Sequence, residues 1–284
     1  MRTTCWEALE DDFTDNPVLR DPFVRRLVVV LAMLCCSSAV GGTIDPSTPD
    51  SAYVAFGKQF PSVVRIRSEK LLHAQYGSAV VIRPHWALTA AHVVYEAFDH
   101  TAKDDNGVVY PLSVYPHCDF NNEVLGDSDI ALCYSAKDFG LKFYTPLYTG
   151  RGELGSVITI AGYGLTGTFR TGASLSDGKR RAGQNKIEAA AMGVLICSAS
   201  VGADKLPLEF MIASGDSGGG MYIGNKLAGI NSFLMASDKV PNGSYGDESA
   251  FTRISTHAAW IEREIAKHEL EMRASATMGP DISR

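Results

Sequence analysis

The 284-residue chain combines 45% hydrophobic with 20% charged residues, which supports one large core or two packed smaller ones and excludes an intrinsically disordered protein. Its 26 basic and 32 acidic residues give a formal net charge of −6. That charge argues against nucleic acid or an anionic membrane as the main partner, because both select for basic surfaces. The 27 glycines and the short apolar runs between them indicate many tight turns and favour an all-β fold.

The first 39 residues have the order of a targeting leader. Arg25 and Arg26 precede an apolar run over 27–34, and small residues follow over 35–39. This order is typical of a secretory signal peptide, and the apolar run is too short for a stable membrane span, which needs about 20 residues. We therefore expect residues 1–39 to be a leader with a signal peptide and the protein to be secreted, either periplasmic or extracellular.

Short apolar runs predict most of the β-strands. Glycine, asparagine and aspartate separate these runs. Predicted helices do not alternate with the strands, so the pattern does not indicate a parallel sheet. Strands are predicted at 63–67, 78–82, 86–89, 130–134, 157–161, 186–190, 220–223 and 227–233. Strands of this length and spacing are typical of a sandwich or of barrels.

Two further segments have their own patterns. The stretch 164–183 is rich in glycine, threonine, serine and arginine and predicts an exposed loop. Near the end, Ala258, Ile261 and Ile265 recur at helical spacing and predict one amphipathic helix. The residues after it, 273–284, are expected to form a flexible tail.

Three short segments carry the residue types of nucleophilic catalysis. They are Leu-Thr-Ala-Ala-His at 88–92, Asp-Ser-Asp-Ile-Ala-Leu at 127–132 and Gly-Asp-Ser-Gly-Gly at 215–219. A serine hydroxyl becomes an effective nucleophile only when a base removes its proton, and histidine is the usual base. A carboxylate beside that histidine fixes its tautomer and stabilises the imidazolium. Each segment alone could be a plain structural feature, but all three together point to catalysis.

In this order the segments resemble the chymotrypsin/trypsin family of serine endopeptidases, over most of 40–264. Further matches are Val40-Gly41-Gly42, Gly162-Tyr163-Gly164, and Leu227-Ala228-Gly229-Ile230 followed by Ser232-Phe233. The resemblance implies an all-β fold of two packed six-stranded antiparallel β-barrels with a C-terminal α-helix. The peptidase domain would span 40–272, with its barrels at about 40–145 and 146–272 and the site in the cleft between them.

The resemblance also implies the roles of the catalytic residues. His92 would be the general base, Asp129 its orienting carboxylate and Ser217 the nucleophile. Gly215 and Ser217 would donate backbone N–H groups to the oxyanion. Asp127 competes with Asp129 for the carboxylate role; Asp129 is preferred because it directly precedes the Ile-Ala-Leu strand.

Two more expectations follow from the same resemblance. Ser232 and Phe233 match the strand that pairs with the substrate backbone. Asp216 would form a buried ion pair with a new N-terminus. Signal cleavage after Ser38 would create that terminus directly at Ala39, and cleavage one residue later is the alternative.

The specificity pocket departs from that of trypsin-like relatives. Met211 stands where an acidic residue selects arginine or lysine, and Leu234 stands where a glycine often lines the entrance. Because an unpaired cation buried against methionine is strongly unfavourable, the sequence predicts a preference for small to medium apolar residues before the cut. Asp247 or Glu248 could instead supply acidity from another wall.

The cysteines depart from the family as well. Val93 and Ala213 stand where many relatives have disulfide-bonded cysteines. Beyond the leader only Cys118, Cys133 and Cys197 remain, which allows at most one intramolecular bridge. A bridge between Cys118 and Cys133 is left open, with Cys197 as the spare thiol.

The leading hypothesis is a secreted serine endopeptidase that acts on protein or peptide substrates through an acyl-enzyme intermediate. We expect a monomer without cofactor or metal; the acidic turn at 104–107 is read as a solvated turn rather than a calcium site. The alternative is a non-catalytic peptide-binding protein on the same scaffold. An esterase is a weaker third hypothesis, because the nucleophile lacks a Gly-x-Ser-x-Gly elbow.

Overall fold

The computed structural model describes residues 42–124, 126, 128–191 and 193–277. The leader at 1–39, the Val40-Gly41 pair, Asp127 and the last residues 278–284 lie outside the described residues. No helix in the described part is long and apolar enough to cross a membrane.

The first half of the described chain contains eight strands and two short helices. These elements are β1 (Thr43–Ile44), α1 (Asp50–Gly57), β2 (Val63–Glu69), β3 (Ala74–Arg83), β4 (Trp86–Thr89), α2 (Ala91–Val94), β5 (Asp99–Lys103), β6 (Val109–Pro111), β7 (Ser113–Pro116) and β8 (Ala131–Tyr134).

The second half contains ten strands and the long C-terminal helix. These elements are β9 (Val157–Gly162), β10 (Thr166–Thr168), β11 (Gly172–Leu175), β12 (Arg181–Lys186), β13 (Ala189–Ala191), β14 (Val194–Ser198), β15 (Phe210–Met211), β16 (Gly220–Ile223), β17 (Lys226–Ala236), β18 (Asp247–Arg253) and α3 (Ile254–Thr277).

Two curled antiparallel sheets of seven strands form the body of the protein. The first has the strand order β6-β5-β2-β3-β4-β8-β7, and the second has the order β12-β9-β16-β17-β18-β14-β13. A smaller four-stranded sheet, β11-β10-β1-β15, contains one parallel pair between β1 and β10. The expected all-β architecture of two antiparallel β-barrels with a C-terminal helix is confirmed; each barrel is a curled half-barrel sheet, with seven strands where six were expected.

The strands form where the predicted apolar runs lie. In β4 all four residues are buried, and in β2 the side chains alternate between core and surface from Arg65 to Glu69. This period of two is what a sheet covered on one face requires. One predicted strand, at 186–190, is wrong. Lys186 ends β12, and the N–H of Ile187 bonds Ser156 while that of Glu188 bonds Ile196, so the chain changes partner strands there.

The predicted exposed loop at 164–183 is also wrong. It contains β10, β11 and the start of β12. The composition misled because Arg181, a charged residue, is buried at the start of β12, where its guanidinium pairs with Asp50 at 2.6 Å and Asp177 at 2.8 Å. Burial of a charge is tolerated when it is paired in this way.

The C-terminal helix α3 follows β18 without a loop and lies against the first sheet. Trp260, Ile261 and Ile265 are buried, and His268 stacks on Tyr115 with ring centroids 3.9 Å apart. The helix therefore links the end of the second sheet to the first. It also extends to Thr277, so the tail predicted from residue 273 starts too early.

A buried arginine joins the two sheets beside the site. Arg180, just before β12, donates hydrogen bonds to the carbonyl oxygens of Gly57 at 2.7 Å and Val63 at 2.8 Å. Its other contacts are the Tyr163 hydroxyl at 2.7 Å and the Asp105 carboxylate at 2.6 Å. We call this group the Arg180 latch; it fixes the second sheet against the first.

Candidate active site

Strand pairing brings His92 and Asp129 to the same end of the first sheet. His92 lies in α2, which begins two residues after β4, and Asp129 lies two residues before β8. Because β4 and β8 are antiparallel with Thr89 opposite Ala131, the end of β4 and the start of β8 are adjacent. Two residues far apart in sequence are thereby placed in contact.

The Asp129 carboxylate holds His92 with both of its oxygens. The His92 backbone N–H donates to Oδ1 at 2.9 Å, and Nδ1 of the ring lies 2.8 Å from Oδ2. Since Oδ2 accepts from the ring, Nδ1 carries the proton and Nε2 is left as the basic nitrogen. The His92 side chain is 24% exposed while that of Asp129 is 6% exposed, so the imidazole reaches solvent and its carboxylate partner is buried.

The two groups shift each other's pKa in opposite directions. Burial alone would lower the pKa of His92, but the charge of Asp129 and their hydrogen bond raise it above its usual value. Burial would raise the pKa of Asp129, but His92 and the hydrogen bonds it receives lower it. The pair is therefore poised as a base supported by an ionised carboxylate.

Residues from the second sheet complete the support of Asp129. The Ser232 hydroxyl donates to its Oδ2, and the Thr252 hydroxyl donates to its backbone oxygen at 2.9 Å. The preceding residue, Ser128, has a φ of 47°, which is uncommon for a residue with a side chain. The carboxylate thus lies across the boundary between the two sheets.

Ser217 lies in a tight loop between β15 and β16. Gly215 and Gly218 on either side have φ values of 91° and 84°, a backbone conformation that favours glycine. The Ser217 hydroxyl donates to the backbone oxygen of Ser232 at 3.3 Å, and within the described residues it has no hydrogen bond to His92. Ser232 therefore contacts both Ser217 and Asp129, and it is their common neighbour.

The same loop presents two unpartnered donors. Among the described residues, the backbone N–H groups of Gly215 and Ser217 have no hydrogen-bond acceptor. The carbonyl of Ser214, in the same peptide unit as the Gly215 N–H, accepts from Leu165 at 3.1 Å. Free N–H groups on a fixed loop are the donors that an oxyanion requires.

Asp216 lies between these donors and points into the protein. Its carboxylate is fully buried and accepts from the N–H groups of Gly164 at 2.9 Å and Ala213 at 3.0 Å. Burial raises its pKa to about 7 despite both hydrogen bonds. No cation contacts this carboxylate among the described residues.

The expected specificity residues lie beside the loop. Met211 in β15 is fully buried, and Leu234 in β17 is partly buried against an apolar cluster that contains the neighbours of Met211, Phe210 and Ile212. Phe233 lies close to Gly126, where an added Cβ would meet its ring at 2.8 Å. The residues predicted to receive the substrate side chain therefore lie among apolar neighbours.

The acidic alternatives have other contacts. Asp247 is buried and accepts from the backbone N–H groups of Asn242 at 3.0 Å and Gly243 at 2.8 Å, so it caps a loop. Burial and the nearby Glu188 carboxylate raise the pKa of Glu248. The Ser249 hydroxyl accepts from the Ile212 N–H at 3.2 Å, so this side chain faces the segment that follows Met211. Neighbouring residues of a strand face opposite sides, so Glu248 points away from that segment.

Cys118, Cys133 and Cys197 are all unpaired, and the last two are buried. The disulfide bridge between Cys118 and Cys133, which the sequence left undecided, is therefore absent. The consecutive residues His117, Cys118 and Asp119 could place ligand atoms within 4.8 Å of one another, but the His117 Nδ1 already accepts from the Asp119 N–H at 3.1 Å. A metal bound at Nδ1 would have to displace this hydrogen bond.

Sequence reasoning missed Ser78 and Gly164, which contact the nucleophile loop directly. The Gly164 N–H bonds Asp216, and Ser78 bonds both Gly215 and Ser217. Gly164 belongs to the Gly-Tyr-Gly match and could have been found there. Ser78 has no local signal, because a serine in an apolar strand looks like an ordinary polar interruption.

The sequence and the fold of this chain are similar to those of known proteins. The profile of the trypsin family matches residues 53–261. A comparison with curated protein sequences finds no match.

Similar solved structures include a serine protease, a collagenase and an inactivated protease paralogue. Neuropsin, a serine protease expressed in the limbic system of mouse brain, is 18% identical with a TM-score of 0.57 and covers 72% of this chain and 95% of its own. HL collagenase is 18% identical with a TM-score of 0.58, covering 73% and 94%. The scabies mite inactivated protease paralogue S-I1 is 19% identical with a TM-score of 0.56, covering 74% and 96%. At these identities the likeness concerns the fold.

Proposed function

The chain belongs to the trypsin family, and on that premise we propose that it is a secreted serine endopeptidase that hydrolyses peptide bonds through an acyl-enzyme intermediate. The observation that carries the proposal is the grouping of His92, Asp129 and Ser217 around Ser232. It supplies a base, an orienting carboxylate and a hydroxyl in one place.

The mechanism begins with rotation of the Ser217 hydroxyl. In the structure this hydroxyl donates to the backbone oxygen of Ser232, and no described contact joins it to His92. Rotation about the Cα–Cβ bond redirects it to the free Nε2 of His92, and catalytic hydrogen bonds commonly tighten only when substrate binds. His92 then takes the proton as the oxygen attacks the substrate carbonyl.

The next steps use the free backbone donors. The attack breaks the carbonyl π-bond and leaves a negative oxygen, which the N–H groups of Gly215 and Ser217 stabilise. Protonated His92 gives its proton to the leaving amine, and the peptide bond breaks to form an ester on Ser217. Water, activated by the same His92, hydrolyses the ester and restores the enzyme. Asp129 stays ionised throughout and stabilises the imidazolium.

A non-catalytic peptide-binding protein is the alternative, since this fold also occurs in the inactivated scabies mite paralogue. Retention of all three catalytic residue types favours the enzyme. A fluorophosphonate probe, which reacts only with an activated serine, separates the two functions. We expect labelling of the processed protein at Ser217 and none of Ser217→Ala. An unlabelled, correctly processed protein would point to the binding function instead.

Activation is proposed to follow directly from removal of the leader. Cleavage after Ser38 exposes the amine of Ala39, only three residues before Gly42, where the described chain begins. This amine would give the buried Asp216 carboxylate the cation that it lacks among the described residues. N-terminal sequencing of active protein tests the proposal; active protein that retains residues 1–38 would refute it.

The proposed specificity is for small to medium apolar residues before the cut. The buried Met211 and the partly buried Leu234 support it, because neither offers a counter-charge to a substrate cation. Asp247 is committed to its loop, which weakens the acidic alternative. Protein or peptide chains are the proposed substrates and would pair with the backbone of Ser232 and Phe233.

A further inference from the structure

We propose that Ser78, in strand β3 of the first sheet, is a positioning residue that holds the oxyanion-binding loop of the second sheet in its active shape. The inference rests on the proposed function and adds a residue to it. Ser78 is fully buried, and its hydroxyl bridges Tyr163 and Gly215. Nothing in the reaction requires Ser78 to touch the substrate.

The hydrogen-bond directions of Ser78 follow from its neighbours. The Tyr163 backbone N–H lies 3.0 Å from the Ser78 oxygen and can only donate to it. The single hydroxyl proton is therefore directed to the other neighbour, the carbonyl oxygen of Gly215 at 3.0 Å. The hydroxyl has one defined orientation, with one bond accepted and one donated.

This orientation matters because Gly215 is intrinsically free to rotate. With a φ of 91° and no side chain, it can exchange between conformations that point its N–H toward or away from the cleft. The structure restrains the loop on both sides of that N–H. The preceding carbonyl, of Ser214, is held by Leu165, and the following carbonyl, of Gly215 itself, is held by Ser78.

The backbone of Ser78 restrains the nucleophile as well. Its N–H donates to the carbonyl oxygen of Ser217 at 2.8 Å, and its own carbonyl accepts from the Thr89 hydroxyl at 2.8 Å. Ser78 thus binds both residues that supply oxyanion donors, one through its side chain and one through its main chain.

The apolar surroundings strengthen the functional interpretation. The residues that follow Ser78 in β3, Ala79, Val80 and Val81, are all fully buried and apolar. An alanine at position 78 would fit this strand but would leave the Tyr163 N–H and the Gly215 carbonyl without partners. A buried hydroxyl is costly unless it is hydrogen-bonded, and here both of its bonds serve the loop.

The kinetic test compares Ser78→Ala with Ser135→Ala. Ser135 is also buried and directly follows β8, and among the described residues its hydroxyl accepts only from the nearby Lys137 N–H. Because loss of a whole oxyanion donor costs about 100- to 1,000-fold in kcat, we expect loss of its support to lower kcat by about 10- to 100-fold with KM nearly unchanged. The affinity for a peptide aldehyde should fall by the same factor, since its adduct places an oxyanion in the site. Ser135→Ala should change neither.

A second measurement does not depend on activity. By hydrogen exchange with mass spectrometry, segments 162–165 and 213–217 should exchange faster in Ser78→Ala and not in Ser135→Ala. If Ser78→Ala does not fold, Ser78→Cys, with its weaker hydrogen bonds, should still lower kcat without raising KM. Unchanged kcat or unchanged exchange in a folded Ser78 variant overturns the positioning role alone. Failure of the wild-type protein to react with a fluorophosphonate overturns the endopeptidase proposal alone.

Discussion

Asp129 binds His92 through two hydrogen bonds at once, one to the ring and one to the backbone, at 2.8 and 2.9 Å. The ring contact sets the protonation and charge of the base, while the backbone contact sets the position of α2 relative to the carboxylate. Substitutions of Asp129 should therefore have two distinguishable effects, one on the basicity of the His92 ring and one on the position of α2.

The first prediction concerns pH. His92 acts as a base only when neutral, and its pKa lies above the usual value of about 6.5. We therefore expect kcat/KM to fall as pH drops below a midpoint that lies above 6.5. Asp129→Asn should lower kcat by about 10⁴-fold near neutral pH, as in the serine protease triad from which that figure comes. A pH profile of kcat/KM with a series of buffers checks both. A midpoint well below 6.5 would contradict the assigned pair.

The second prediction concerns cooperation within the triad. Ser217→Ala and His92→Ala should each lower kcat by on the order of 10⁶-fold without unfolding the protein. The double variant should lose little more than either single variant, because the two residues act as one unit. Initial rates on a peptide substrate, with circular dichroism as the folding control, provide the measurement. Clearly additive losses would indicate separate roles.

The third prediction concerns Asp216 in protein that retains its leader. Without a partner amine its pKa is about 7, above the unfolded value of 3.8, so the folded state binds more protons between these pH values. Stability should accordingly fall as pH rises from 4 to 7. Asp216→Asn should remove this dependence, and processed protein with a free Ala39 amine should not show it. Thermal melts of the three proteins across pH decide the matter; identical pH dependence in all three would exclude the ion pair.

The fourth prediction concerns the pocket. Leu234→Gly should widen the entrance and raise kcat/KM for substrates with phenylalanine before the cut relative to those with alanine. Chromogenic peptides that differ only at that residue measure the change, with wild-type protein expected to prefer small to medium apolar side chains. A wild-type preference for arginine or lysine would reject the prediction and direct attention to Asp247 or Glu248.

The fifth prediction concerns the Arg180 latch. Arg180→Ala leaves the Val63 carbonyl oxygen without a partner among the described residues and takes one hydrogen bond each from the Gly57 carbonyl oxygen and the Tyr163 hydroxyl, so we expect a loss of about 2–4 kcal/mol in the free energy of unfolding. The matched control is the adjacent Lys179→Ala. Lys179 is exposed and its pair with Asp177 lies at the surface, so its effect should stay within about 0.5 kcal/mol. Urea denaturation of both variants compares them; equal stability would mean that the latch is dispensable.

The sequence predicted strand bounds best where every side chain of the strand is buried. Trp86–Thr89 appears in the structure with the predicted bounds because all four side chains enter the core. The prediction of an exposed loop at 164–183 failed at Arg181, because composition cannot show that two carboxylates will neutralise a buried guanidinium. Within the site, motif residues could be found by type and order. Ser78 could not, since its importance arises from contacts made across 85 and 137 residues of chain.

The unpaired thiols have a practical consequence. Cys133 and Cys197 are buried, which raises the pKa of Cys133 to about 12 and that of Cys197 well above its usual value, so neither offers a thiolate for exchange or oxidation. The described part of the chain therefore depends on no covalent cross-link, and glutathione or dithiothreitol has no bond to reduce there. Reducing agents should therefore leave its folding and activity unchanged, whereas an oxidant can still reach the exposed Cys118.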